Sequence, residues 1–172
     1  MASQLSHSNT PFKPKKFPVI LICDGVQSPA NIGGLFRICE AMGVERIIFC
    51  GTGVDVSSPR LKKTARNTIN AVNFTVENDI ASELQKLKKA NYLLIALEIT
   101  ANSISLESFE LDKQKIALVI GNEQLGISAE VLDLVQQTIH IEMFGKNSSM
   151  NVVQATGIGL YSLVNKLKYS IE

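Results

Sequence analysis

The 172-residue sequence predicts a single α/β domain built around a mainly parallel sheet flanked by helices. Three observations carry that expectation. Unbroken apolar runs at 19–23 and 116–120 suit strands covered on both faces rather than half-exposed ones. Segments of helical period alternate with such runs along the whole chain. The length is that of one ordinary domain, and no internal repeat or convincing linker divides it.

Residues 1–17 are polar, with prolines at 11 and 14, and read as a mobile basic leader. The domain proper is expected over 18–172. Residues 19–23 form the first buried strand, which ends at Asp24-Gly25. A helix over 32–42 follows, with Asn31 as its N-cap and Gly43 as its stop. Residues 46–50 make a second strand, closed by Gly51-Thr52-Gly53. The stretch 55–73 holds a basic cluster and one short helix. Residues 74–76 make a brief strand, 79–89 a helix with lysines near its end, and 92–97 a fourth strand. Residues 98–112 read as loop. The strand at 116–120 then runs into a loop bounded by Gly121 and Gly126, with Ser128 expected to cap a helix over 129–135. A last strand at 138–141 and a long helix from 150 to 169, capped by Ser149, close the chain.

Composition narrows the function. Hydrophobic residues make up 45% and charged residues 19%, which is globular. The apolar runs are too short to span a membrane. The amino terminus lacks the apolar core of a secretory signal, so a cytoplasmic location is expected. Cys23, Cys39 and Cys50 sit in apolar segments with no metal-ligand spacing and are expected to be buried thiols. With only His7 and His140 available, no metal site is expected. The net charge of +1 names no partner. Its distribution does: Lys13, Lys15 and Lys16 form one basic cluster, and Arg60, Lys62, Lys63 and Arg66 another. Such clusters suit RNA phosphates.

Three stretches concentrate residues able to do chemistry. In the first helix, Ile32, Leu35, Phe36, Cys39 and Met42 share the core face, and Arg37 lies opposite. Its neighbours one turn away are Gly33, Gly34 and Ala41. Two glycines so early in a helix cost about 1 kcal/mol each, which suggests a bare patch kept open beneath the guanidinium. In open α/β sheets ligands sit outside the carboxyl ends of strands, which makes the loop 121–128 the expected binding place. The third stretch, residues 139–152, ends a strand in a polar turn before a helix N-terminus suited to anions. Gly121 to Gly126 has the outer spacing of a phosphate loop, but Ile127-Ser128 replaces its lysine and hydroxyl, which excludes an NTPase. Gly51-Thr52-Gly53 supports a dinucleotide fold only weakly.

Together these stretches resemble the SpoU (TrmH-like) branch of the SPOUT RNA methyltransferases. Asn31-Ile32-Gly33-Gly34-Leu35-Phe36-Arg37 resembles the family's first motif. Leu118-Val119-Ile120-Gly121-Asn122-Glu123-Gln124-Leu125-Gly126-Ile127 resembles the second, and Ile141-Glu142-Met143 through Ser149-Met150-Asn151-Val152 the third. The resemblance implies a sheet whose carboxyl-terminal part forms a deep trefoil knot, a rare departure from the rule against threaded chains. It also implies a homodimer that binds S-adenosylmethionine and methylates a ribose 2′-hydroxyl in tRNA or rRNA. By matching positions, Leu97, Ile120, Gly121, Asn122, Gly126, Ile141, Met143, Ser149 and Met150 would hold the cofactor. Arg37, Asn31, Glu123, Ser149 and Asn151 would form the catalytic neighbourhood, with Arg37 facing a pocket of the partner subunit. Two departures stand out. Glu142 replaces the family's usual proline and is expected beside the cofactor wall, and Val153-Gln154 replaces a small residue after the Asn-Val pair. No separate RNA-binding domain is expected before the motifs, so RNA would be gripped by the two basic clusters. Two other readings compete: an RNA-binding dimer of the same fold without catalysis, and a flavodoxin-like nucleotide binder.

Overall fold

The computed structural model describes residues 5, 9–51, 53–112 and 114–169. In chain order the elements are β1 (Phe17–Asp24), α1 (Pro29–Ala41), β2 (Val44–Cys50), α2 (Pro59–Ala65), β3 (Asn73–Glu77), α3 (Ile80–Lys89), β4 (Leu93–Leu97), β5 (Ile104–Ser105), β6 (Ile116–Ile120), α4 (Ala129–Leu134), β7 (Gln137–His140) and α5 (Val152–Tyr169). The strands form one sheet in the order β3-β2-β1-β6-β4-β7-β5. Every strand pair in it is parallel.

Side-chain alternation divides the buried strands between two cores. Val19, Leu21 and Cys23 join the residues of α1, α2 and α5 on one face. Ile20 and Ile22 join Leu84, Leu87 and Val131, from α3 and α4, on the other. β6 is buried along its whole length, as its apolar run requires. The three cysteines are buried thiols. Burial raises all three above the ordinary thiol value, Cys50 to about 12.

The path from β4 to β5 is unusual. Leu97 and Ile104 both pair with Ile139 of β7, so residues 98–103 bridge the full width of that strand. Leu97 ends β4, and β5 is only two residues long, too short for a periodic signal. That brevity is why residues 98–112 read as loop.

The helix starts and caps differ in part from expectation. α1 begins at Pro29 rather than Ile32, because proline at the first helical position has the right φ and no N–H to lose. Asn31 therefore sits inside the first turn and is not the N-cap. Ser128 does not cap α4; its hydroxyl and amide both donate to Asp24 Oδ2 at 2.9 Å. α5 starts at Val152, and Asn151 rather than Ser149 caps it, with Oδ1 accepting from Val153 N–H at 2.9 Å. Asp79 caps α3 from a local position, accepting from Ser82 N–H at 3.0 Å.

The predicted leader lies partly outside the described residues, but its last residues are fixed. Phe17 N–H donates to Gly43 O at 2.8 Å, and Lys16 Nζ donates to Val44 O at 3.0 Å. Gly43 is the helix stop, with φ of +65°, and a Cβ there would lie 2.1 Å from the Lys15 carbonyl oxygen. Lys15 and Lys16 are thus spent partly on anchoring, with Lys15 Nζ 4.9 Å from the Phe17 ring centre.

The glycines beneath Arg37 leave no bare patch. A Cβ on Gly33 would lie 2.7 Å from Leu61 O and 2.8 Å from Thr64 Cβ of α2. A Cβ on Gly34 would lie 2.9 Å from Val153 of α5. These residues let two helices pack closely on α1, a demand set by chain 28 to 119 positions away and invisible locally. Val153, larger than the resemblance leads one to expect, fits because Gly34 makes room for it.

Candidate functional site

A cavity of about 680 Å³ opens at the carboxyl ends of β4, β6 and β7, beside the N-terminus of α5. This is where open α/β sheets hold ligands. Its volume lies in the range of small-molecule sites.

The three stretches meet here through side-chain hydrogen bonds. Asn31 Nδ2 donates to Glu123 Oε1 at 2.9 Å, and Asn151 Nδ2 donates to Asn31 Oδ1 at 3.1 Å. Positions 92 and 120 residues apart in the chain are thereby joined. Glu123 also accepts from Ser28 N–H at 3.0 Å and Gln27 N–H at 3.3 Å. The carboxylate thus fastens the two residues just before α1 from another loop, near the positive end of the helix.

Burial pushes the Glu123 carboxyl upward. The bonds from Asn31, from its own backbone and from Ser28 and Gln27 outweigh that effect and hold it below the ordinary 4.5. A carboxylate depressed in the folded state stabilises fully above its unfolded pKa. The contribution is lost as pH falls through the lower, folded value. Thermal melts from pH 7 down to pH 3 are expected to show a Tm decline that is shallower in Glu123→Gln, which is already destabilised at neutral pH. Parallel declines would remove Glu123 as the source.

The loop after β6 is a tight hairpin. Asn122 and Gly126 exchange both backbone hydrogen bonds at 3.0 Å. Asn122 Oδ1 accepts from Gln124 and Leu125 N–H at 2.9 and 3.1 Å, and its Nδ2 donates to Gly25 O at 2.7 Å. Asn122 lines the cavity, but its amide is spent on the loop. Gly126 has φ of +68°, and a Cβ there would meet Glu98 Oε2 at 2.7 Å. Glu98 accepts from Ile127 N–H at 3.2 Å and Ile99 N–H at 2.9 Å, tying the hairpin to the end of β4.

Of the residues expected to hold a cofactor, Leu97, Ile120, Gly121, Asn122, Gly126, Ile141, Met143, Ser149 and Met150 all line this cavity, and so do Asn31, Glu123 and Asn151. Arg37 does not. It is exposed one and a half turns further along α1, with no hydrogen-bond or ion-pair partner among the described residues. Glu142 is exposed and absent from the lining, contrary to the expectation of a carboxylate beside the wall. His140 lines the cavity, its Nδ1 2.9 Å from Ser103 Oγ.

Sequence reasoning missed Glu98 and Asp24. Each is an acid directly at the end of a buried strand, a placement that could have marked it. Among the described residues no lysine or arginine lines the cavity, whereas Glu98 and Glu123 do. A phosphorylated nucleotide or flavin phosphate finds no cationic partner there. A ligand with positive charge and an apolar body fits the carboxylates and the side chains of Leu97, Ile120, Ile141 and Met143. S-adenosylmethionine is such a ligand. Among the described residues, no group of three or more His, Cys, Asp or Glu is placed to hold a metal, and no helix is long and apolar enough to cross a membrane.

Comparison with known proteins shows the family. Residues 18–161 match the profile of the SpoU rRNA Methylase family. The 23S rRNA (guanosine-2′-O-)-methyltransferase RlmB of Blochmanniella floridana is 30% identical over 152 residues, which cover 88% of this chain and 59% of that protein. The tRNA (guanosine(18)-2′-O)-methyltransferase of Aquifex aeolicus is 27% identical, over 83% of this chain and 67% of its own length. The AdoMet-bound rRNA methyltransferase of Sinorhizobium meliloti superposes with a TM-score of 0.80 at 24% identity, covering 91% of this chain and 59% of that one. The chain thus spans about six-tenths of the Blochmanniella protein.

Proposed function

The chain belongs to the SpoU rRNA Methylase family, and from that premise we propose that it methylates a ribose 2′-hydroxyl in tRNA or rRNA with S-adenosylmethionine. The observation that carries the reading is the hydrogen-bonded chain Glu123–Asn31–Asn151 at the rim of a cavity that no lysine or arginine lines among the described residues. When bound, S-adenosylmethionine supplies an already activated methyl group, so the protein's work is alignment and electrostatics. Leu97, Ile120, Ile141 and Met143 would cover the cofactor's apolar body. Gly121 and Gly126 shape the hairpin wall, and Ser149 and Met150 stand at the opposite side.

Arg37 is assigned to the negative charge that develops on the 2′-oxygen. A planar, delocalised guanidinium suits a fixed counter-charge rather than a proton acceptor. It lies outside its own protomer's cavity, which supports a homodimer in which it reaches the partner's cavity. The outer face of α5 supports the same arrangement: Ile158 and Tyr161 are 44% and 63% exposed there, an apolar pair suited to a subunit contact. α5 packs on α1 through Val153 and Gly34, so this face and Arg37 lie on one side of the sheet.

The trefoil knot belongs to the same proposal. It is supported by β7, which lies between β4 and β5 under the single span 98–103 that joins them. Incubation with labelled S-adenosylmethionine and total cellular RNA, followed by mapping of the modified ribose, tests the activity. Absence of label on any RNA, with no S-adenosylhomocysteine bound in calorimetry, would favour the non-catalytic RNA-binding dimer. The basic residues Lys13, Lys15, Lys16, Arg60, Lys62, Lys63 and Arg66, all exposed, are assigned to RNA phosphates. Replacing Lys62 and Lys63 with alanine is expected to flatten the slope of log affinity against log salt by about 1.4 for single-stranded RNA. An unchanged slope would remove the pair from the interface.

A further inference from the structure

A second cavity, of about 610 Å³, lies where α2 ends and a short 3-10 turn (Thr68–Asn70) begins. Its walls differ from those of the first. Lys62 and Arg66 bring two cations, Asn67 and Asn70 two amides, and Val56 and Ile69 an apolar surface. From Pro59 to Val72 the sequence holds four cations and no acid. Asp55, the nearest acid in sequence, accepts from the hydroxyl and amide of Ser57, and Lys62 is near enough to help hold its carboxyl below the ordinary value without forming an ion pair. In the first cavity the side chains of Asn31, Glu98, Asn122, Glu123 and Asn151 are spent on one another and on backbone. Here the side chains of Lys62, Arg66, Asn67 and Asn70 have no hydrogen-bond or ion-pair partner among the described residues. Arg66 also adopts φ 54° and ψ −126°, a backbone conformation that favours glycine. Such conformations persist where surrounding structure imposes them, and they cluster at binding sites.

We propose that this cavity takes one nucleotide of a single-stranded RNA segment. Lys62 and Arg66 hold its phosphate, Val56 and Ile69 cover a face of the base, and Asn67 and Asn70 meet the base edge with paired donors and acceptors. The placement suits a substrate strand. α2 packs over Gly33, two residues beyond Asn31, and Arg37 stands one turn further on that side of α1. The inference rests on the RNA-methyltransferase reading only for the identity of the strand.

The test is a titration of ¹⁵N-labelled protein, followed by amide chemical shifts. The ligands are the four nucleoside 5′-monophosphates, uridine, inorganic phosphate and a single-stranded uridine pentanucleotide. The amides of Ser57, Asn67 and Asn70 are expected to shift with the monophosphates, and about tenfold more weakly with uridine or phosphate alone. The pentanucleotide is expected to bind about tenfold more tightly than uridine monophosphate, because adjacent phosphates add contacts. Lys62→Ala with Arg66→Ala should weaken monophosphate binding about tenfold. Arg66→Gly should do so in part without lowering Tm, since glycine accepts that φ. Undiminished binding in the double variant overturns the proposal. Equal affinity for phosphate and monophosphate reduces the site to an anion site and overturns it as well. Equal affinity for monophosphate and pentanucleotide overturns the strand in favour of a free nucleotide. S-adenosylhomocysteine titrated into the same samples reports on the first cavity. Its failure to bind would count against the methyltransferase reading and leave the nucleotide site standing.

Discussion

Arg37→Ala is expected to reduce methyl transfer to RNA by at least about a hundredfold, the usual consequence of removing a group aimed at developing oxyanion charge. S-adenosylhomocysteine affinity and Tm should stay close to wild type. The separation of effects follows from position: Arg37 is exposed, makes no hydrogen bond or ion pair among the described residues, and lies outside the cavity of its own chain. Arg37→Lys keeps the charge but loses the planar fork, and should recover only part of the rate. Mixing Arg37→Ala protein with a variant defective in the cofactor cavity distinguishes the two geometries. If the arginine serves the partner, mixed dimers regain activity at one of their two sites. Full activity in Arg37→Ala homodimers would take the arginine out of the mechanism.

The second large effect is expected at Gly121. A Cβ there would lie 2.2 Å from the Gly126 carbonyl carbon, 2.4 Å from Ile127 N and 2.5 Å from Gly126 O. All three are backbone atoms of a hairpin closed by its own hydrogen bonds and tied down through Glu98, so none yields by a rotamer change. Overpacking of this kind costs about 1–3 kcal/mol. Gly121→Ala should therefore lower the urea midpoint and abolish S-adenosylhomocysteine binding in calorimetry, because the cavity wall itself moves. Retained binding with unchanged stability would mean the hairpin is far softer than its bonds indicate.

The sheet and most helices were legible because their signals are local. β6 declares itself by five consecutive apolar residues and α3 by Asp79 at its N-cap. What stayed hidden depended on partners far along the chain. The N-cap position of α1 is Ser28, held through its amide by Glu123 95 residues away rather than by a local side chain, so local reasoning gave the role to Asn31. Gly33 and Gly34 suggest open space until Thr64 and Val153 are seen to fill it. The site was more legible than these details, since Asn31, Glu123 and Asn151 do meet. Asn122 shows the remaining gap: no sequence pattern reveals that its amide is consumed by Gly25 and the hairpin.

The position of β6 bears on how the chain reaches this state. β6 lies between β1 and β4, although both flanking strands precede it in the sequence. During synthesis β1 and β4 must wait, each with an unpaired apolar edge, until residues 116–120 arrive to fill the gap between them. Exposed edges of this kind invite pairing with other chains, and closing distant contacts last makes acquisition of the fold slow. A nascent chain stalled before residue 116 is accordingly a species for chaperones to shelter.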